Sequence, residues 1–518
     1  MESSNPAFIS IFNDVLGPVM RGQSSSHTAG SYYIGKLIRE LFGETPSEAV
    51  FTFDPDGSYG RVFRAQGSDL GFAAGLMGWP ITDERYNKAL EIAIEENILI
   101  QFLVSPIPEA DHPNSVKILL KSKAGKELTI MAKSTGGGSV RIVRLNDWNV
   151  NLNGKNHVLL VSCEESALPE IQSQLKLHAS NSEIQKRGHS ILLVATLNTR
   201  PDAVMLSNLT PLSLNDGLFI CSPFAYPKRG EPIFSSAKEI HQIAKEKNIS
   251  LGEIALGYEA ALLGLSKNDC LEEMKIRLRV MLDAIQFGFD DQNVNMQLLE
   301  PSAHKIDSAI KGHSVAMGGP HSEAAAKAMA VMHTANSMGI VCAAPTGGSA
   351  GVIPGVLSTL IKEKNLDETQ SAYALFAAGA VGLILAIRGT FAAEIAGCQV
   401  EIGAAGAMGA AAVIDAIGGR ADLALNAAAI SFQNTMGSAC DLVQGICEIP
   451  CHTRNAVAAS SAFICADIIL GGYQNSVPLD ETIDAVISSG KMLPAELRCT
   501  SLGGLAVAPS AVQLKRNR

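Results

Sequence analysis

Ten cysteines occur in the 518 residues, yet no C-x-x-C pair is among them. That excludes a zinc ribbon or a thioredoxin-like redox motif. Aromatics are scarce, at 5% with two tryptophans, so large ring-filled cores are not expected. The basic residues are scattered and the formal net charge is −10, which argues against a nucleic-acid partner. The short basic tail Lys515-Arg516-Asn517-Arg518 reads as a frayed end. The longest apolar run, Ala372 to Ile387, falls short of the ~20 residues of a bilayer span. It is rich in Ala and Gly and closed by Arg388, so it reads as a buried central helix and no membrane partner is expected. Met1 to Asn13 lacks a basic segment followed by an apolar one, so no secretory signal is expected. Cysteines without such a signal point to free thiols in a reducing cytoplasm rather than to a disulfide framework.

What is present is length, small residues and apolar content. A chain of this size exceeds one ordinary core, so two to four domains are expected. Apolar residues make up 47%, glycines number 47, and alanine is dense after Ala324. That mix predicts helices packed closely through small side chains. Residues 1–150 read as an N-terminal α/β domain. Residues 151–228 read as a small α+β module, with strands at His157–Ser162, Ser190–Thr196 and Leu218–Cys221 around helical patterns, in a ferredoxin-like order. Residues 229–518 read as an all-α domain.

Three loops and three cysteines carry chemistry. Gly22-Gln23-Ser24-Ser25-Ser26-His27-Thr28-Ala29-Gly30 sets hydroxyls and an imidazole at a helix start, where backbone N–H groups favour an anion. An ordinary Ser/Thr cap explains one serine of that run, not three with His27. Ser134-Thr135-Gly136-Gly137-Gly138-Ser139 reads equally as an anion cradle or a tight turn. Thr346-Gly347-Gly348-Ser349, after Cys342-Ala343-Ala344-Pro345, is a second anion-binding candidate. Cys398, Cys440 and Cys451 lie 42 and 11 residues apart, each near Gly, Pro or a charged residue. Three thiolates on separate segments suit an iron–sulfur cluster with one open iron, although a single cysteine is more often a small apolar group.

These words together resemble the iron–sulfur-dependent L-serine dehydratase (L-serine ammonia-lyase) family over nearly the whole chain. The hydroxyl run is similar to the family's G-P-S-S-S-H-T-x-G. His112-Pro113-Asn114 and Ser134 to Gly138 match its H-P-N and S-x-G-G-G, and Ala344 to Gly351 matches A-P-T-x-G-S-A-G. Gly397-Cys398-Gln399-Val400-Glu401, Cys440-Asp441 and Pro450-Cys451-His452-Thr453-Arg454-Asn455-Ala456 match the three cluster-cysteine words in order. Leu493 to Arg498 and Ser501 to Leu505 match the closing word.

The resemblance implies a multidomain chain: a β-type α/β domain, an ACT-like regulatory module and an all-α catalytic domain, fused in one polypeptide. It implies a [4Fe–4S] cluster on Cys398, Cys440 and Cys451, conversion of L-serine to pyruvate and ammonia, and a homodimer. Ser24, Ser25, Ser26 and Thr28, with Thr346, Gly347, Gly348 and Ser349, are then candidates for holding the substrate carboxylate. His27 and His112 are candidates for proton transfer. Arg454 and Asn455 are candidates beside the cluster or substrate. The alternatives are the same chemistry on threonine or cysteine, or a non-catalytic iron–sulfur sensor. A pyridoxal-phosphate dehydratase lacks its lysine context here. The chain departs from the family at Gln66, where G-H-x-T-D usually supplies a His, and at Leu442 and Gly406. Its end carries no cysteine, and Cys342 and Cys447 read as spare, core-packing thiols.

Overall fold

The computed structural model describes residues 8–214 and 216–517. The first seven residues, and Arg518 of the basic tail, lie outside the described residues. Where the sequence suggested segments 1–150, 151–228 and 229–518, the chain forms two compact units. One is Ser26–Pro227; the other joins the segment up to Ser25 to Lys228–Arg518.

The first unit is built on a six-stranded sheet. Glu48–Phe53 pairs in parallel with Leu99–Val104 on one side and antiparallel with Ser115–Lys121 on the other. The antiparallel order continues through Glu127–Gly136, Ser139–Leu145 and Trp148–Leu152. Alternation along Glu48–Phe53 points Ala49, Phe51 and Phe53 inward. They pack into one core with Ile34, Leu37 and Leu41 of the helix Gly30–Phe42 and with Phe72 of the helix Ser68–Leu76.

The second sheet of this unit has four antiparallel strands. Chain order is strand–helix–strand–strand–helix–strand, and the spatial order is Leu218–Cys221, His157–Glu164, Ser190–Leu197, Ala179–Arg187. This is the ferredoxin-like split β-α-β arrangement. Leu160, Leu192 and Phe219 join the core of the six-stranded sheet, whereas Leu159, Val161 and Leu193 face Ile171 and Leu175 of the module's own helix Leu168–Leu175. The module is therefore not a separate globule. Its Ser222 also donates from backbone N–H and hydroxyl to the Glu40 carboxylate, at 2.6 and 2.5 Å. The strand Ala179–Arg187 was not legible in the sequence. It is an edge strand, almost wholly exposed, so it carries no apolar alternation.

In the helical unit, the Glu259 carboxylate accepts the backbone N–H groups of Ile11 and Phe12 at 2.8 and 3.0 Å. It also takes the Ser10 hydroxyl. Val19–Arg21 then pairs antiparallel with Ile340–Cys342. The first attachment ties the N-terminal segment to a helix 249 residues away and the second to a strand further still along the chain. The apolar run forms the helix Glu368–Arg388, capped by Asp367 and Gln370 in a reciprocal box. It lies mostly buried, although by length and apolarity it and Cys451–Leu470 are each able to cross a membrane. Small residues let helices touch backbone to backbone: a Cβ on Gly288 would meet the Ala330 carbonyl oxygen at 1.7 Å.

Candidate active site

Of the three cysteines singled out by the sequence, Cys398 and Cys440 come together in the helical unit, and Cys451 lies within electrostatic reach of Cys398. Gly397 has φ 75°, and a Cβ there would sit 2.6 Å from the Ser438 carbonyl oxygen. Glycine is thus required where the chain turns to place Cys398 at the head of a short turn before the helix Ile402–Ala416. The Cys398 N–H donates to Ser438 at 2.9 Å, drawing it beside the Cys440 segment. Cys440 in turn donates to Leu497 and accepts from the N–H of Cys499, both at 2.8 Å. Cys451 opens the helix Cys451–Leu470. The three side chains are 2, 3 and 4% exposed.

A carboxylate joins them. Ligand atoms of Cys398, Cys440 and Glu401 all lie within 4.8 Å of one another. Burial, then the nearby thiols, push the Glu401 carboxyl well above its ordinary range. Among the neighbouring thiols, contact with Cys440 and the Arg454 guanidinium hold Cys398 down. Contacts with Cys398 and Cys499 hold Cys440 up, and contact with Cys447 does the same for Cys451. Buried soft donors whose charged forms repel one another are a donor set that a multivalent, thiophilic metal centre satisfies. The residues therefore fit an iron–sulfur group.

The glycine loop lies against this centre. Gly347–Ser349 forms a tight turn before the helix Val352–Lys364. The Ser349 hydroxyl accepts the Thr346 N–H at 3.2 Å and donates to the Ala344 carbonyl at 3.1 Å. A Cβ on Gly348 would lie 3.4 Å from Cys447 Sγ and 3.9 Å from a Glu401 carboxylate oxygen. A Cβ on Gly347 would lie 2.8 Å from the Gln23 carbonyl oxygen, so the start of the Gln23-Ser24-Ser25 run packs on the same loop. Asn455 donates to the Gly348 and Cys451 carbonyls, both at 2.9 Å, and accepts the Gly351 N–H at 3.2 Å. Arg454 donates to Ala439 at 2.7 Å and to Asp441 at 2.9 Å. Both residues position the centre's own segments.

The other unit gathers a separate polar group. His27 is buried, with Nδ1 3.1 Å from the Ser26 hydroxyl and Nε2 3.0 Å from that of Ser58. Tyr59 meets its ring edge-on at 5.4 Å. Burial pushes the His27 pKa down to about 4. Tyr59 accepts from Ser31 at 3.0 Å and donates to the Ser26 carbonyl at 3.2 Å. Thr28 is fully buried next to His27. The H-P-N word adjoins: the Tyr59 N–H donates to the Pro113 carbonyl, and that of Ser134 to the Asn114 carbonyl at 3.1 Å. The side-chain oxygens of Asn114 and Ser68 are buried without a hydrogen-bond partner among the described residues. His112 is half-buried, and its Nδ1 accepts the Asn114 N–H at 3.1 Å. Burial, then Lys133, lower its pKa. Gln66 is half-buried in the turn before the helix Ser68–Leu76.

Sequence reasoning missed Glu401, Cys447, Cys499, Ser58 and Tyr59. Glu401 stood inside the Gly397–Glu401 word, but its approach to Cys440 spans residues far apart. Ser58 and Tyr59 followed Asp54-Pro55-Asp56-Gly57, which read only as a turn. Cys447 is half-buried against Cys451 and the glycine loop rather than packed in a core.

The helical unit thus gathers the Cys398 and Cys440 thiols and the Glu401 carboxylate, beside a glycine loop, into a group that could hold a metal ion. The sequence model of the serine dehydratase alpha chain matches residues 235–506. The "probable L-serine dehydratase, alpha chain" of Bacillus subtilis is 36% identical over 284 residues, 55% of this chain and 95% of that one. The same organism's "probable L-serine dehydratase, beta chain" is 31% identical over 206 residues, 38% of this chain and 92% of that one. "L-serine dehydratase 2" of Escherichia coli is 27% identical over 375 residues, 69% of this chain and 79% of that one. The chain belongs to the serine dehydratase family.

Proposed function

We propose that this protein is an iron–sulfur-dependent L-serine dehydratase that releases pyruvate and ammonia. One observation carries the reading: the buried Cys398 and Cys440 thiols, from two separate segments, come together with the Glu401 carboxylate beside a hydroxyl- and glycine-rich loop at a helix start. In the proposal, Cys398, Cys440 and Cys451 hold a [4Fe–4S] cluster. When bound, such a cluster supplies an iron without a protein thiolate, a Lewis acid for a substrate hydroxyl.

The chain's own groups do the rest. Thr346, Gly347, Gly348 and Ser349 orient the substrate carboxylate through hydroxyl and backbone N–H donors, and Ser24, Ser25, Ser26 and Thr28 supply further hydroxyls. Arg454 keeps positive charge beside Cys398. His27 handles the Cα proton. With its pKa near 4 it is neutral at pH 7 and free of charge repulsion toward a cationic amino group, and Ser26 and Ser58 fix its ring. His112 is the second proton-handling candidate. The unpartnered oxygens of Asn114 and Ser68 favour a polar ligand in that unit. An effector role for the four-stranded, ACT-like module, a cytoplasmic setting and a homodimer are part of the same proposal; light scattering tests the last.

The test is anaerobic purification, iron and sulfide counting, and a pyruvate assay with L-serine, L-threonine and L-cysteine. Iron and sulfide near four each with turnover of L-serine is the expected result. Cys398→Ser, Cys440→Ser or Cys451→Ser removes cluster and activity together, while Cys163→Ser removes neither. Full activity without iron overturns the cluster. An iron-loaded protein inert to all three amino acids overturns the dehydratase.

A further inference from the structure

Of the seven cysteines that the proposed chemistry does not use, two each touch a different proposed ligand. Cys447 contacts Cys451, and Cys499 contacts Cys440. In both pairs the ligand thiol is buried and its partner only half-buried. The Cys440–Cys499 pair is held by backbone. Cys440 N–H donates to Leu497 and Cys499 N–H to the Cys440 carbonyl, each at 2.8 Å, so the two segments lie side by side. An isolated bridge pairs Cys440 with Arg498, and the direct backbone hydrogen bond from Cys499 holds the next residue at the close backbone spacing that a disulfide needs. Cys499 also holds φ 58°, a left-handed conformation that its neighbours must enforce. Cys447 and Cys451 flank the turn at Pro450, four residues apart, and a Cβ on Gly348 would lie 3.4 Å from Cys447 Sγ.

We propose that Cys447 and Cys499 are peroxide-modification sites that capture the neighbouring ligand thiols as Cys447–Cys451 and Cys440–Cys499 disulfides when the centre has lost its iron. The inference rests on the reading of Cys440 and Cys451 as cluster ligands.

The chemistry balances with hydrogen peroxide as the oxidant. Peroxide oxidises the half-buried thiol to a sulfenic acid and leaves as water. The buried partner's sulfur then attacks the sulfenic sulfur. An S–S bond forms, the S–O bond breaks, and the hydroxyl leaves with the partner's proton as a second water. Each pair loses two electrons and two protons to one peroxide. The ligand sulfurs are thereby kept below the sulfinic level, from which a thiol reductant recovers nothing, and dithiothreitol returns both pairs to thiols.

The experiment uses the full-length protein purified anaerobically, with iron and sulfide counted first. Peroxide is added, loss of visible absorbance is followed, and cysteines are mapped by differential alkylation and mass spectrometry. Peptides linked through Cys447–Cys451 and Cys440–Cys499 are expected, while Cys163, Cys221, Cys270 and Cys342 stay as thiols. Dithiothreitol with iron and sulfide then restores the absorbance. In Cys447→Ser and Cys499→Ser proteins, the corresponding ligand goes instead to sulfinic or sulfonic acid, and restoration falls several-fold. Sulfinic Cys440 and Cys451 in the parent protein, without linked peptides, overturns the proposal. So does recovery of both variants equal to the parent's, or failure of either variant to load iron when first made. A protein that never holds iron removes the cluster reading instead, because linked peptides are read by mass whether or not iron was present.

Discussion

The Asn455 side chain donates to the carbonyl oxygen of Gly348 at 2.9 Å, joining residues 107 positions apart. The same amide donates to Cys451 and accepts from Gly351, so one buried side chain locks the glycine loop to the helix Cys451–Leu470. Asn455→Ala takes the side-chain partner from the Gly348 carbonyl and the Gly351 N–H, each worth about 1–3 kcal/mol when buried, while the Cys451 carbonyl keeps its helical partner. The expected result is a fall in kcat/KM of at least about tenfold, since loop misplacement of this kind costs one to two orders of magnitude. Steady-state kinetics and thermal denaturation check it; unchanged kinetics with a lowered Tm would reduce Asn455 to a stabilising role.

Asp441 sits beside Cys440, with one oxygen on Arg454 at 2.9 Å and the other on the Leu505 N–H at 2.8 Å. Asp441→Asn keeps an acceptor but strands the Arg454 charge; Asp441→Ala removes both contacts. Iron retention during dilution should fall in the order parent, Asp441→Asn, Asp441→Ala, and protease cleavage near Leu505 should rise in the same order. Iron retention indifferent to both changes would separate Asp441 from the centre.

Acid should reveal His27. Its folded pKa, about 4, lies below the ordinary histidine value of 6.5, so the unfolded chain takes the proton first. The stability this neutral histidine contributes is present above pH 6.5 and is lost as pH falls towards 4. The loss is at most on the order of 3 kcal/mol, because a tenfold change in proton affinity is worth about 1.4 kcal/mol. The gap in Tm between parent and His27→Gln should therefore narrow from pH 7 to pH 4.5. A gap that widens instead contradicts the burial of a neutral ring.

Glu448 accepts the backbone N–H groups of Gln297, Leu298 and Leu299 at 2.7, 2.8 and 2.8 Å while 1% exposed. Glu448→Ala orphans three donors and should cost at least about 3 kcal/mol. Urea titration measures it, and a loss under about 1 kcal/mol would mean the donors find other partners.

Much was legible in the chain because the signals are local. Capping residues announce helices, as Ser250 and Glu253 do before Leu251–Leu263. The glycine, proline and hydroxyl words around Cys398, Cys440, Cys451 and Thr346 carry turn geometry in adjacent residues, and in that order they resemble the family's own words. Apolar runs marked the strands His157–Glu164, Ser190–Leu197 and Leu218–Cys221, whereas Glu48–Phe53 went unread. Ala179–Arg187 escaped because an exposed edge strand needs no such pattern.

The tertiary structure decided what depends on segments meeting. Nothing in the first 25 residues says that they belong with Glu259 and the strand Ile340–Cys342 rather than with the sheet that follows them in sequence. Nothing local says that Glu401 faces Cys440, or that Cys447 lies against Cys451 and Cys499 against Cys440. The sequence by itself determined residue chemistry and short-range turns, since those are set by neighbouring side chains. Which groups share one buried centre was settled by packing, because burial brings charges and thiols together without regard to their distance along the chain.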